Sequence, residues 1–185
     1  LYVIVGNHAT LSGDIAERSP RRHLYEGDLI PRMEDPGGHA HGVKLPAGMV
    51  VRTDINGKKV ELFASGLRNA YDLAFNADGE LFTWDSDMES DSLSNWYRPT
   101  RFYHVVPGSE FGWRSGWAKW PSYYHDAIPP LANTGRGSPT GIVFYQHHAY
   151  PDEYHDIAFM ADWSQGKIMT AQLKPNGAGY TVSTN

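Results

Sequence analysis

The sequence predicts an all-β fold of the β-propeller type, of which this chain forms about three blades with long inserted loops. Two observations lead to this prediction. Helical periodicity is nearly absent, and short β-rich runs separated by turns recur along the 185 residues. Small antiparallel sheets that repeat radially have this pattern in their sequences. The alternative architecture is a β-sandwich with a similar number of strands.

Two internal repeats set the expected blade spacing. Three apolar runs that end in polar residues start 80 and 77 residues apart, and they read LYVIVGN, LFTWDSD and AFMADWS. A second pair of segments, Gly48–Gly57 and Gly166–Gly177, each leads a strand into an Asn-Gly turn. A bare blade needs roughly 40–50 residues, so the longer spacing requires insertions. We expect a first insert at Ala9–Ala47, a second at Ser86–Pro99 and a third at Gly108–Pro139.

The predicted strands fall into three consecutive blades, of which the first is incomplete. In chain order they are Leu1–Val5, Met49–Asp54 and Lys59–Ala64; Tyr71–Phe75, Glu80–Asp85 and Arg101–Val106; and Gly141–Gln146, Asp156–Ala161, Lys167–Leu173 and Tyr180–Val182. The chain starts inside a strand pattern, with neither Met nor a charged leader. We therefore expect residues 1–185 to be one partial propeller domain of a longer protein that supplies the remaining blades.

Composition excludes several classes of protein and site. Hydrophobic residues make up 41% of the chain and aromatic residues 13%, which is enough for a packed core. The net charge of −5 gives no electrostatic footprint for nucleic acid. No apolar run approaches the roughly 20 residues of a membrane span. The absence of cysteine excludes disulfides, iron–sulfur ligation and covalent c-type haem attachment within this chain.

A Gly-x-Arg-Asn turn at Gly66–Asn69 precedes a strand, an Asp-Gly turn and a second strand that ends in an acidic loop. Further motifs follow in order: Gly112-Trp113, Pro139-Thr140-Gly141 and Asp162-x-x-x-Gly166. From Gly48 onward this pattern resembles the quinoprotein glucose/sorbosone dehydrogenases, six-bladed propellers of the soluble pyrroloquinoline quinone (PQQ) sugar dehydrogenase type. The long acidic segment through Trp96–Arg101 most resembles planctomycete-type proteins described as membrane-bound dehydrogenases, often with a haem-binding domain elsewhere.

The resemblance implies that Arg68 and Asn69 face the central pocket and bind PQQ and the sugar. A guanidinium offers planar, bidentate donors to a carboxylate or carbonyl, and an Asn amide both donates and accepts. Chemistry alone leaves an alternative open. Arg68 would then pair with a carboxylate of the next loop and only connect the blades.

Acidic residues alternate along the segment Asp85–Asp91, here called the acidic loop. Crowded oxygen donors suit Ca²⁺, which takes 6–8 oxygens, although the spacing is not that of an EF-hand. The resemblance implies that backbone carbonyls of this loop hold the calcium that binds the quinone, with Asp87-Met88 in place of the family's Gly-Pro. The predicted metal ligands are therefore Asp85, Asp87, Met88, Glu89 and Asp91. The alternative is a solvated acidic turn.

Two departures from the family weaken the enzymatic interpretation. A lysine that contacts the quinone in the family is missing from Asp162–Gly166, which carries Ser164-Gln165 instead. The family's catalytic base is a histidine upstream of the Leu1 strand, so this chain cannot contain it; His8 lies at the right end of a strand without other support.

Two hypotheses follow. The first is an extracytoplasmic oxidoreductase that oxidises a sugar or related alcohol with PQQ and calcium and passes electrons to a haem domain or cytochrome. The alternative is a non-catalytic propeller that binds carbohydrate or a protein subunit.

Two further groups of residues have both a ligand-binding and a structural interpretation. The pairs His39/His41 and His147/His148 could ligate a metal, but zinc sites need three or four ligands from separate segments. We favour loop packing or surface exposure for both pairs. The third insert is rich in Trp and could form either a sugar-stacking platform or the hydrophobic cover of a long loop, the cover being preferred. Its aromatic residues are Trp113, Trp117, Trp120, Tyr123 and Tyr124.

Overall fold

The chain is all-β in a computed structural model that describes residues 1–27, 32–34, 40–88, 97–116 and 118–185. The strands are β1 (Tyr2–Val5), β2 (Gly48–Thr53), β3 (Val60–Leu67), β4 (Leu73–Phe75), β5 (Leu81–Asp85), β6 (Thr100–Val105), β7 (Trp113–Arg114), β8 (Ala118–Lys119), β9 (Ala132–Gly135), β10 (Pro139–Phe144), β11 (Ile157–Asp162), β12 (Lys167–Asn176) and β13 (Gly179–Thr184). One 3-10 turn covers Asp152–Tyr154. No helix within the described residues has the length and hydropathy needed to cross a bilayer.

Three sheets follow one another along the chain, and each is an antiparallel meander. Their strand orders are β1-β2-β3, β4-β5-β6-β9 and β10-β11-β12-β13, while β7 and β8 form a separate hairpin. The prediction of three consecutive antiparallel blades is confirmed. One boundary differs: β9 completes the second sheet from within the predicted third insert, so this insert is not a continuous loop.

The second sheet packs against both of its neighbours because successive side chains on a strand point to opposite faces. On one face, Phe82 and Trp84 of β5 join residues of the third sheet such as Met160 in a buried core. On the other face, Leu81 and Tyr103 join Phe63 and other residues of the first sheet. Full burial of each such side chain stabilises the fold by about 1.5–3 kcal/mol. Consecutive sheets therefore pack in series, as propeller blades do, and do not form a two-layer sandwich.

The first insert covers the outer edge of the first sheet. Ser19 Oγ accepts a hydrogen bond from Leu62 N (3.0 Å), and Arg21 N donates to Leu62 O (3.0 Å). Apolar side chains of the same insert, including Leu11 and Leu24, pack on Met49 and other buried residues of this sheet. The insert thus provides hydrogen-bond partners for backbone groups that would be unpaired on an uncovered edge strand.

A buried ionic network connects the first and third inserts to β3. The Glu110 carboxylate accepts hydrogen bonds from Arg21 Nη2 (2.8 Å), Arg114 Nη1 (2.8 Å), Ser65 Oγ (3.0 Å) and Gly112 N (2.8 Å). Only 5% of Glu110 is exposed. Because a buried carboxylate is tolerated only when it is fully paired, these contacts fix the two inserts on the blades.

The Trp-rich part of the third insert is a hydrophobic cover. Trp113 and Trp120 are buried. The Arg114 guanidinium lies 4.2 Å from the centre of the Trp120 ring, a cation–π contact that also leaves little of this ring for a ligand. Tyr123 is exposed, and Trp117 lies outside the described residues. The packing of Trp113 and Trp120 supports the cover interpretation over a sugar-stacking platform.

Candidate functional site

The polar ends of the three repeated runs lie at equivalent places in the fold. Asp85 and Asp162 are the last residues of β5 and β11, and Asn7 follows shortly after the end of β1 at Val5. Antiparallel pairing brings the end of one strand beside the start of the next. Asn7 N accordingly donates to Arg68 O (3.1 Å), at the turn that leads towards β4. The polar residues that end the three repeated runs therefore lie at the same edge of the sheets.

Asp85 stabilises the turn that carries Arg68 and Asn69. Its Oδ2 accepts a hydrogen bond from Arg68 N (3.0 Å), and its Oδ1 accepts one from Asn69 N (2.9 Å). Ser86 Oγ in addition donates a hydrogen bond to the backbone carbonyl of Asn69 (2.7 Å). The structure thus brings the Arg-Asn pair and the start of the acidic loop together, as the topology of β4 and β5 predicts.

Asp162 has the same role in the third sheet. Its Oδ1 accepts hydrogen bonds from Ser138 N (3.1 Å) before β10 and from Gln165 N (3.1 Å) and Ser164 Oγ (3.0 Å) after β11. A carboxylate at the end of the second strand of the sheet therefore holds the loop that enters the first strand. Burial raises the pKa of Asp162, but these hydrogen bonds outweigh burial and lower the pKa below its ordinary value.

Acid is expected to remove part of the stability that Asp162 provides. Because its pKa is lowered in the folded state, the contribution is complete above about pH 5 and declines as the pH falls through the ordinary Asp value of 3.8. We predict that the Asp162→Asn variant loses less free energy of unfolding than the wild type between about pH 5 and pH 3. Urea unfolding at several pH values measures this difference. Equal losses in the two proteins would contradict the assigned role.

A cleft of about 320 Å³ opens at this edge, between the second and third sheets. Its lining residues come from the turn before β4, the loop after β5, the segment that enters β10 and the turn after β11: Arg68, Asn69, Tyr71, Ser86, Asp87, Gly137, Ser138, Pro139, Thr140 and Trp163. Tyr71 is 71% exposed and Trp163 is 73% exposed. The cleft therefore combines polar donors with two uncovered aromatic rings, a mixture typical of small-molecule sites.

The side chain of Arg68 is uncommitted within the described part of the chain. No hydrogen bond or ion pair of its guanidinium is present there, whereas its backbone N–H is held by Asp85. The interpretation in which Arg68 only ties blades through a carboxylate thus finds no partner among the described residues. A fixed backbone and a free guanidinium suit recognition of a ligand carboxylate or carbonyl.

Glycine is required at two points where the Arg68–Asn69 turn contacts other segments. Gly66 has a φ of +79°, and a Cβ there would collide with the Glu110 carboxylate. At Gly6, after β1, a Cβ would lie 2.5 Å from Asn69 Oδ1. These contacts give a physical reason for the glycine in the Gly-x-Arg-Asn motif.

Two of the predicted calcium ligands, Asp85 and Met88, already have hydrogen-bond partners within the protein. Both oxygens of Asp85 already accept backbone N–H groups, and Met88 O accepts from Arg98 N (2.8 Å). Asp87 lines the cleft and accepts from Tyr97 Oη (2.8 Å). The other two predicted ligands, Glu89 and Asp91, lie outside the described residues.

Lys119 of β8 is a residue that the sequence did not single out. Its Nζ lies 3.2 Å from Asp85 Oδ2 and donates a hydrogen bond to Ser86 O, and its side chain is fully buried. Burial lowers the pKa of Lys119 to about 8, although the Asp85 carboxylate acts in the opposite direction. The Lys119 ammonium, which belongs to the third insert, thus lies beside the start of the acidic loop. It does not line the cleft.

The histidines form no metal site in the described ranges, where no group of three or more His, Cys, Asp or Glu side chains could hold an ion. His147 and His148 stack on each other at 4.1 Å and are exposed. His41 pairs with Glu34 (3.0 Å), while His39 lies outside the described residues. His8 lines a different cleft of about 330 Å³.

Solved structures share this fold. A PQQ-bound aldose sugar dehydrogenase from Streptomyces coelicolor matches with a TM-score of 0.56 and 16% identity, over 75% of this chain and 38% of that chain. A crystal structure of a glucose dehydrogenase matches with a TM-score of 0.53 and 16% identity, over 75% of this chain and 44% of that chain. No protein-family model and no curated protein matches the sequence.

The chain thus has the fold of the sugar dehydrogenase propellers and spans less than half the length of the two matched proteins. At this level of identity the likeness shows the fold. It confirms the fold implied by the Gly-x-Arg-Asn and Asp-Gly motifs, while the resemblance to planctomycete-type proteins stays a prediction.

Proposed function

We propose that the intact protein is a quinoprotein oxidoreductase that oxidises a sugar or related alcohol with PQQ bound in the Arg68–Asn69 cleft. One observation carries the proposal. A guanidinium without a partner in the described residues and an Asn stand on a rigid turn, in a cleft with the exposed rings of Tyr71 and Trp163. The match to a PQQ-bound sugar dehydrogenase places the same fold around this cofactor in another protein.

The cleft residues fit a planar quinone that carries carboxylates and carbonyls. Arg68 would donate to these oxygens, and the Asn69 amide would donate to or accept from the cofactor and the substrate. The volume of about 320 Å³ lies at the lower end of small-molecule pockets. When bound, PQQ supplies the acceptor for the hydride that leaves the substrate carbon.

The chain's own contribution is binding and orientation. Asp85 fixes the backbone of Arg68 and Asn69, so both side chains enter the cleft from a turn that does not need to reorganise. Trp163 and Tyr71 would cover the faces of a bound ring and exclude water. The base that takes the substrate proton is expected upstream of the Leu1 strand and has no candidate among these residues.

The remaining parts of the proposal extend beyond the cleft. Electrons would pass to a haem domain or a cytochrome partner, in an extracytoplasmic protein whose other blades complete the propeller. A calcium ion near the acidic loop would be held by Asp87 with Glu89 and Asp91, since Asp85 pairs with Lys119 and Met88 O accepts a hydrogen bond from Arg98 N.

A non-catalytic, carbohydrate-binding propeller is the alternative function. The segment Asp162–Gly166 favours it, because this turn has an exposed Trp163 where the family has a cation that contacts the quinone. An exposed indole beside polar groups is a surface on which a sugar ring can stack. This alternative predicts sugar binding without quinone binding.

Replacing Arg68 with alanine is expected to weaken PQQ binding by about tenfold or more, the loss expected for a charge-assisted hydrogen bond. Titration of the intact protein followed by the quinone's absorbance measures the affinity. Arg22→Ala is the matched control, because Arg22 lies at an exposed position with only a 3.5 Å contact to Glu17. An intact protein that binds sugar and no quinone would support the binding module. Equal quinone affinity in wild type and Arg68→Ala would remove Arg68 from the site.

A further inference from the structure

The cation beside Asp85 is the side-chain ammonium of Lys119. We infer that Lys119 occupies the position that a metal ion would take between Asp85 and Ser86, so that an internal ammonium, and not calcium, positions the Arg68–Asn69 turn. The inference concerns the apoprotein and holds independently of any redox activity. It departs from the calcium role that the resemblance implies for this segment.

The contacts of Lys119 are those expected of a bound cation. Its Nζ lies between a carboxylate oxygen of Asp85, at 3.2 Å, and the backbone carbonyl of Ser86. Carboxylate and backbone carbonyl oxygens are the donors that Ca²⁺ prefers. Lys119 and Asp85 are 0% and 1% exposed at their side chains, so solvent does not compete with this pairing.

The local charge disfavours a divalent ion at Asp85. Arg101 lies directly opposite Asp85 in the β5–β6 pair and is buried. Its Nη1 donates to Trp120 O (3.3 Å), next to Lys119 in the chain. A calcium ion at Asp85 would therefore face two buried cations with a single carboxylate between them, which the low dielectric of the interior strongly disfavours.

Asp162 provides an internal comparison. It stabilises the corresponding loop of the third sheet through Oδ1, but its Oδ2 is buried without a hydrogen-bond partner among the described residues. Asp85 has the same strand-end position and in addition binds Lys119. The lysine is thus an addition to the second sheet, located next to the turn that lines the cleft. We assign Lys119 as a positioning residue for Arg68 and Asn69.

Thermal unfolding of the quinone-free intact protein, with and without about 5 mM calcium, tests the inference. The change in Tm that calcium causes is expected to be equal within about 1 °C in the wild type, in Asp85→Asn and in the control Lys174→Met, an exposed lysine on β12. In Lys119→Met the Asp85 and Ser86 oxygens that the ammonium occupied can take the ion. Calcium should then raise the Tm by about 3 °C or more beyond its effect on the wild type, as expected for roughly tenfold excess over the Kd.

Specific outcomes would overturn the inference. Calcium that stabilises the wild type, with the effect lost in Asp85→Asn, would show a metal at this position. A folded Lys119→Met protein that responds to calcium no more than the wild type does would show that the ammonium does not replace a metal. If Lys119→Met is unfolded, refolding in calcium supports the inference and failure to refold contradicts it. Because quinone is absent throughout, the result does not depend on the proposed oxidoreductase function.

Discussion

Replacing Glu110 with alanine is expected to lower the free energy of unfolding by about 3–5 kcal/mol, the cost of breaking a buried ion pair. The carboxylate accepts four hydrogen bonds, and its removal leaves the guanidinium groups of Arg21 and Arg114 without their buried partner. The loss should also detach the first and third inserts from β3. Urea denaturation followed by tryptophan fluorescence measures the change, because Trp113 and Trp120 report on the third insert.

Glu17→Ala is the matched control for this experiment. Glu17 is 86% exposed at its side chain and contacts Arg22 at 3.5 Å, so its removal should cost less than about 1 kcal/mol. A Glu110→Ala protein as stable as the control would show that the network does not hold the inserts.

Asp85→Ala is expected to have a comparable effect on stability, again about 3–5 kcal/mol, together with the loss of the ligand site. The substitution removes the acceptor of two backbone N–H groups and leaves the Lys119 ammonium buried without its carboxylate. The Arg68–Asn69 turn then loses its anchor. Quinone affinity should fall in Asp85→Ala although Asp85 itself does not line the cleft.

A double variant separates the charge effect from the turn effect. In Asp85→Ala/Lys119→Met the uncompensated ammonium is absent, so part of the lost stability should return while quinone affinity stays low. Equilibrium unfolding and quinone titration on the two single variants and the double variant complete the cycle. Simple additivity of the two losses in stability would contradict direct pairing between Asp85 and Lys119.

The sequence predicted most of the strands because their side chains alternate and their ends carry turn residues. The Asp78-Gly79 turn, for example, separates β4 and β5, and the predicted bounds of these strands differ from the structure by at most two residues. Strand β9, which reads Ala-Asn-Thr-Gly, has no apolar alternation. It forms a strand because it pairs with the free edge of β6. This pairing depends on the tertiary structure and cannot be seen in the local sequence.

The sequence predicted which segments come together at the cleft, but not all the contacts between them. In the sequence, Arg68 and Asn69 precede one strand and the acidic loop follows its neighbour, and the structure brings the two segments together. Sequence reasoning assigned Asp85 to a metal because alternating carboxylates resemble a calcium loop. A signal for the structural role was present in the sequence: an Asp recurs 77 residues later, at Asp162, at the end of the matching strand. An Asp that recurs at the ends of matching strands indicates a contact that the second and third blades share.

Lys119 could not be predicted from its neighbours in the chain. It lies in a Trp-rich insert and is 34 positions from Asp85 (119 − 85), with no motif to connect the two. Only the pairing of β7 with β8 and the packing of the third insert place its ammonium beside the acidic loop. The family's quinone-contacting lysine is missing from the Asp162–Gly166 turn, and the buried Lys119 of the third insert, which does not line the cleft, comes from a different segment.

The central claim is that the cleft at the Arg68–Asn69 turn binds a quinone. A crystal structure of the intact protein grown with PQQ tests it most directly. We expect the quinone in this cleft, with a carboxylate or carbonyl oxygen within hydrogen-bonding distance of the Arg68 guanidinium and its rings near Trp163. A quinone bound elsewhere on the propeller, or a cleft that takes up a sugar while PQQ in the crystal leaves no density, would contradict the account.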